Sequence, residues 1–237
     1  MAAPTATTTT VSSALAALLL CAAAFLAADA ASGRHDPKAR QAKPGAAGAD
    51  LVESACANIT TTSRYKGPEL TADFCTLTLY PEKRAMSARH PRDLALVALD
   101  LARSAAADAG AEVGYALRGP AADDDEAGWS KDTALTLRYC RIDYWAVART
   151  ARVCRAMVRE YDPWVEGHNS GNLLPYTYLE CADRMMDAAF SCWNHISFDG
   201  EVKKAVWKQV DAAASLANLA RAMVGQMLGI PDDDGPY

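Results

Sequence analysis

The sequence predicts an all-α chain: an up-and-down four-helix bundle with an N-terminal helical hairpin, stapled by disulfides. Three observations carry that expectation. Alanine is heavily over-used while Phe, Ile and Gly are modest, a composition that favours helix. Four long segments repeat apolar residues every three or four positions, and none offers the alternation of a strand. Six cysteines remain once an apolar leader is set aside, an even number that reads as three bridges in an oxidising compartment.

Residues 1–30 read as a signal peptide. "VSSALAALLLCAAAFLAADA" is an uncharged apolar run, and Ala28-Asp29-Ala30 has the small-x-small form that precedes cleavage, leaving Ala31 as the mature N-terminus. The run approaches the length of a spanning helix, so an uncleaved anchor is the alternative. Residues 31–50 combine Gly, Pro, Ala and scattered charge without an apolar period, and read as a flexible leader. Residues 51–230 form the expected helical domain and 231–237 an acidic tail. The 237-residue chain is 51% hydrophobic and 22% charged, enough for one core of moderate size. Its formal charge of −5 gives no pull toward nucleic acid, and no Lys/Arg-rich run supplies a local exception.

From Leu51, two short helices around the Lys66-Gly67-Pro68 break would place Cys56 in the first and Cys75 in the second, a hairpin closed by Cys56–Cys75. The first long helix follows His90, with Leu94, Val97, Ala98, Leu101, Ala105, Ala109, Val113 and Leu117 as its core stripe. After a polar break, the second runs from about Asp132 to Glu160, striped by Leu135, Tyr139, Ile142, Ala146, Val153 and Met157. The third, about Tyr176 to Ile196, carries Leu179, Ala182, Met186, Ala189, Trp193 and Ile196. The fourth, about Glu201 to Leu228, carries Val202, Val206, Val210, Ala213, Leu216, Leu219, Met223 and Met227. Four single-striped helices bury those stripes most simply against one another, antiparallel because the connections are short.

That arrangement pairs the remaining cysteines. Cys140 and Cys154 are fourteen residues apart and Cys181 and Cys192 eleven, so each pair shares a helix face. Antiparallel neighbours join the inner two, Cys154–Cys181, and the outer two, Cys140–Cys192. The spacings rise roughly 21 Å and roughly 16 Å, whereas a bridge tolerates Cα separations of only about 4.4 to 6.8 Å. Helix tilt, or fraying near Cys192, is expected to absorb the difference. Zinc would want a C-x2-C-type spacing that is absent, and His35, His90, His168 and His195 stand at no motif spacing from any Cys. No catalytic residue, metal ligand or cofactor-binding residue is therefore expected.

The ordered features "ACANIT…DFCTLTLYP", "PRDLALVALDLARSAA" and the aromatic-rich "YCRIDYWAVA" with a later closing cysteine resemble the plant family of invertase and pectin methylesterase inhibitors. The resemblance spans roughly residues 51 to 228. It implies a secreted, apoplastic protein that docks stoichiometrically over the active-site cleft of a carbohydrate-active enzyme of the cell wall or vacuole. It also implies no cofactor and no reaction, and neither a nucleic-acid partner nor a membrane once the signal is cleaved. Two departures stand out. The family has two disulfides, and Cys154 has no counterpart. Invertase inhibitors of the family carry Asp-Pro-Lys-Phe at the turn between the second and third long helices. Here Asp162 and Pro163 match, while Trp164 and Val165 replace the lysine and phenylalanine. The missing cation turns the expectation toward pectin methylesterase. Invertase inhibition and a four-helix binding or signalling module without an enzyme target are the alternatives.

Asp162, Pro163 and Trp164 are the candidate partner contacts, Trp164 as an exposed anchor or as a ring folded back on the helix ends. Asn58-Ile59-Thr60 is a glycosylation sequon, with Asn58 the acceptor. "GHNSGN" reads as a turn, not a phosphate loop. The acidic runs 123–126 and 232–234 lack calcium-loop spacing and read as solvated loop and tail.

Overall fold

The helix boundaries follow from capping chemistry that the sequence displays. A computed structural model describes residues 46–59, 68–119, 129–162, 164 and 172–230, all within one compact unit. The signal peptide, most of the leader, both acidic runs, the Lys66-Gly67 break, Thr60, His35, His168, Pro163 and Val165 lie outside those residues.

Seven helices, and no strand, occur among the described residues: α1 (Ala46–Ala57), α2 (Ala72–Leu79), α3 (Lys83–Met86), α4 (Pro91–Ala116), α5 (Lys131–Glu160), α6 (Pro175–Ser197) and α7 (Gly200–Met227). Thr71 caps α2 through the Phe74 amide, Ser130 caps α5 through the Thr133 amide, and Asp199 caps α7 by accepting from Glu201 and Val202. Pro91 and Pro175 open α4 and α6, where a missing N–H costs nothing. The α7 end is closed by Gly229 at φ 66°, a left-handed position where a Cβ would be strained.

Two boundaries differ from expectation. Helix α1 starts at Ala46, inside the stretch read as a flexible leader, because an alanine-rich start propagates helix once its face is buried. Gly48 makes that burial close: a Cβ there would overlap the Met86 carbonyl of α3. Helix α3 is a single turn with no apolar period and gave no sequence signal.

Among the long helices, α4 packs on α5 and α7, and α6 packs on α5 and α7, while α1 sits on α2, α3 and the start of α4. The contacts fix directions. Between α4 and α5, Arg92 donates to the Tyr161 carbonyl, Asp100 pairs with Arg155 at 2.8 Å, and Trp129 donates to the Ala116 carbonyl at 2.7 Å, so the two run antiparallel. Between α6 and α7, Trp193 donates to Asp211 and Arg221 pairs with Asp183 at 3.0 Å, again antiparallel. The C-terminal half of α7 is buried on more than one side. Its Gln226 reaches the Ala55 carbonyl of α1.

All three bridges connect the expected pairs: Cys56–Cys75 between the two short helices, and the other two as antiparallel neighbours require. Cys56–Cys75, Cys140–Cys192 and Cys154–Cys181 have Cα separations of 5.5, 4.7 and 5.6 Å. Fraying at Cys192 is not how the spacing mismatch is absorbed, since α6 continues to Ser197. Shared between two bridges, an axial difference of about 5 Å leaves only about 2 to 3 Å of stagger at each. Three disulfides are what an oxidising compartment makes and keeps. No helix among the described residues is long and apolar enough to cross a membrane.

The core stripes of α6 and α7 lie largely where expected, with Met185, Met186, Met223 and Met227 buried. Leu179, Trp193 and Leu216 are half-buried at the stripe edges. In α4 the stripe drifts one residue after Ala98, so Ala102 and Ala106 are buried and Leu101 and Ala105 lie at its edge. The stripe of α5 is the substantive correction. Leu137, Cys140, Tyr144, Val147, Ala151, Cys154 and Val158 face the core. The expected residues lie elsewhere: Leu135, Tyr139, Ile142 and Val153 are 46, 54, 58 and 53% exposed, with Ala146 and Met157 half-buried. The cysteines set the facing, because a bridged residue must lie at the interface with α6.

Candidate docking surface

The α5–α6 connection, which holds the candidate contacts, is built on a polar clamp. The Asp162 amide donates to Asn172 Oδ1 at 2.9 Å, and Asn172 Nδ2 donates to the Asp162 carbonyl at 2.7 Å. One side-chain amide thereby ties both ends of the connection together. Asp162 Oδ1 accepts from the Trp164 amide at 3.0 Å, the local turn that short polar side chains favour. Below it, Tyr161 and Tyr178 meet edge to face with centroids 5.4 Å apart, and the Tyr178 hydroxyl accepts from the Leu173 amide.

Trp164 projects from this base. Its ring is 80% exposed and meets the edge of His90, 6.1 Å away, at the start of α4. It touches that helix end through this edge contact and stays largely open to solvent. Leu173, Leu174 and Tyr176 are exposed on the other side of the connection. Of the expected contacts, the structure therefore brings Asp162 and Trp164 together. Asn172 was missed: nothing in "SGNLLP" distinguishes a clamping amide from an ordinary loop asparagine.

Helix α5 carries further exposed apolar residues along its length. At about 100° per residue, Leu135, Tyr139, Ile142 and Val153 form one lane along the side of the helix nearer α6. A groove of about 360 Å³ borders the lane at Val153, with Arg149, Met157, Thr177, Glu180 and Arg184 in its walls and Cys181 in its lining. The Cys154–Cys181 bridge thus ties together the two helices that flank it. Large apolar side chains at this exposure, rigidly held and bordered by charge, are what a protein partner would bury. Asn58, the sequon acceptor, is exposed at the end of α1 and lines a separate groove with Pro91 and Gln226.

The polar residues between α5 and α6 make a different arrangement. Burial holds the Asp143 carboxyl above its usual range, against the opposing effects of a Ser191 hydrogen bond and nearby His195. The neighbouring Tyr144 is buried with its hydroxyl unpartnered, and burial drives its ionisation far above the ordinary range. Among the described residues, no group of three or more His, Cys, Asp or Glu side chains could hold a metal ion. In comparisons with known proteins, no family model, no curated protein and no solved structure matches the chain.

Proposed function

We propose that this chain is a secreted proteinaceous inhibitor, with pectin methylesterase as the preferred target, that docks stoichiometrically over the enzyme's active-site cleft. The observation that carries the reading is exposed apolar surface: Trp164 at the α5–α6 connection and the residues Leu135, Tyr139, Ile142 and Val153 along α5, which is cross-linked to α6 by two disulfides. A rigid surface loses little conformational freedom on binding, which favours tight stoichiometric complexes. The helical architecture adds support. In this reading α4 to α7 form an up-and-down four-helix bundle with α1 to α3 as the attached hairpin, the plan that the resemblance to plant invertase and pectin methylesterase inhibitors implies. Residues 1–30 are its signal peptide, the apoplast its location and Asn58 its glycan acceptor.

Invertase inhibition is the second reading, favoured by Asp162 at the corresponding turn. Trp164 stands where that mode would want a cation, so it ranks lower. The test is a parallel titration of the oxidised mature protein against a pectin methylesterase and an acid invertase at apoplastic pH. Stoichiometric loss of esterase activity alone, weakened by Trp164→Ala, is the expected result. Loss of invertase activity alone would move the second reading to first place. If neither activity falls, the chain is a helical binding module and the inhibitor reading fails.

A further inference from the structure

Helix α5 carries a second exposed lane, and its chemistry differs from the first. Arg138, Arg141, Arg149, Arg152 and Arg159 are all exposed. At about 100° per residue Arg141, Arg152 and Arg159 fall on the side of α5 nearer α4, Arg138 lies on its outward face, and Arg149 lies at the edge of the row, where it also lines the α5–α6 groove. No two are adjacent in sequence, so the row is invisible as a basic run and emerges only when the helix is wound. It extends roughly 30 Å. On a chain with formal charge −5 this is a local inversion of sign. The acidic residues of α5 do not interrupt it: Asp132 and Glu160 stand at the two ends, and Asp143 is half-buried on the α6 side.

The adjoining edge of α4 strengthens the inversion. Its Asp100 carboxylate is already bonded to Arg84 and Arg155, at 2.6 and 2.8 Å, and is faced by Arg103 at 4.0 Å. Three guanidinium groups share one carboxylate, which leaves the neighbourhood positive. Trp145 lies within the row, with Arg149 over its ring at 5.2 Å and the residue still 62% exposed.

We propose that this row binds a linear acidic polysaccharide, a polymer whose sugars carry free carboxylates. Guanidinium groups match carboxylates with paired hydrogen bonds. The apolar face of an indole packs on the carbon-bound hydrogens of a sugar ring while its edge stays wet. A positive strip along α5, widened only where Arg84 and Arg103 meet Asp100, fits an extended polymer better than a bilayer surface. The three disulfides place the protein in an oxidising compartment, away from nucleic acid. The row meets the apolar lane at Arg149, which lines the groove beside Val153, and it does not depend on which enzyme the protein inhibits.

The experiment measures retention of the oxidised mature protein by polygalacturonate. Fully methyl-esterified pectin serves as the uncharged control and phosphatidylserine vesicles as the alternative anion. Binding to polygalacturonate alone is expected, falling about tenfold or more between about 50 and about 300 mM salt, as multi-site ionic binding to a polyanion does. The triple variant Arg141→Gln/Arg149→Gln/Arg152→Gln should lose at least about tenfold at low salt while keeping its helicity and melting temperature. Trp145→Ala, which removes no charge, should weaken binding several-fold. Lys204→Glu/Lys208→Glu on α7 should leave it unchanged. The proposal is overturned by absence of retention, by equal retention of the triple variant, by an equal loss in the lysine variant, or by binding to the vesicles in preference to polygalacturonate. Unchanged affinity in Trp145→Ala would overturn the stacking role of the indole. Inhibition is read in a different assay, so its failure and the failure of polymer binding are told apart.

Discussion

Both the inner and the outer side of α5 carry large apolar residues, yet one set is core and the other is exposed. The inner face, Leu137, Tyr144, Val147, Ala151 and Val158 with Cys140 and Cys154, is buried throughout. The outer lane, Leu135, Tyr139, Ile142 and Val153, carries side chains of similar size but breaks over the eleven-residue step from Ile142 to Val153. Side-chain size alone does not separate them. The difference lies in the company each keeps: the inner face carries the cysteines that must reach α6, and the outer lane adjoins five exposed arginines whose burial would be costly. A residue next to a cysteine in sequence is about 100° away from it on a helix. Tyr139 and Val153, each one position before a bridged cysteine, therefore point well away from the interface.

That contrast can be broken most strongly on the inner face. Tyr144→Ala should destabilise by about 3 to 5 kcal/mol, the range for emptying a large aromatic site in a packed core, measured by chemical denaturation. Cutting the brace between the faces comes next. Cys154→Ala with Cys181→Ala opens a loop of sequence separation 27 and should remove about 2 to 4 kcal/mol, lowering the melting temperature with helicity intact. An unchanged melt would mean that the bridge does not brace the pair.

Smaller effects sharpen the same contrast. Asp100 sits where α4 meets α5; burial alone would raise its pKa, but hydrogen bonds and charge from Arg84 and Arg155 outweigh that and hold it below the usual carboxylate range. A depressed folded-state value contributes stability above the unfolded pKa, and this is lost as pH falls through the folded one. The stability gap between wild type and Asp100→Asn should therefore be full at neutral pH and close on acidification below the ordinary carboxylate range. Tyr144→Phe removes a buried hydroxyl without a partner while keeping the ring. It should be neutral or stabilising by up to about 1 kcal/mol. Smallest of all, Tyr139→Ala should change stability by no more than about 0.5 kcal/mol, although it trims an aromatic ring from the proposed docking lane.

Much of the fold was legible because it rests on strong local signals. Pro91 and Pro175, Ser130 and Asp199, and Gly229 mark helix limits by mechanisms that need no tertiary context. The disulfide pairing was legible because antiparallel neighbours leave little choice for four cysteines on two helices. What failed was rotation about the α5 axis, a tertiary property that two competing lanes leave undetermined. The single turn of α3 and the early start of α1 depend on packing against each other through Gly48 and Met86. At the docking surface, Trp164 stood out as an aromatic in a polar loop. The Asn172 clamp and the arginine row did not, because one is a loop contact and the other exists only after the helix is wound.

The facing of α5 is the claim on which both proposed surfaces rest, and one paired measurement tests it directly: thermal unfolding of Ile142→Asp beside Val147→Asp. A carboxylate on the outer lane should leave the melting temperature near wild type, whereas the same group on the inner face should unfold the domain or lower its melt severely. If Ile142→Asp proves as damaging as Val147→Asp, the outer lane is covered in the folded protein, and the account of two faces is wrong.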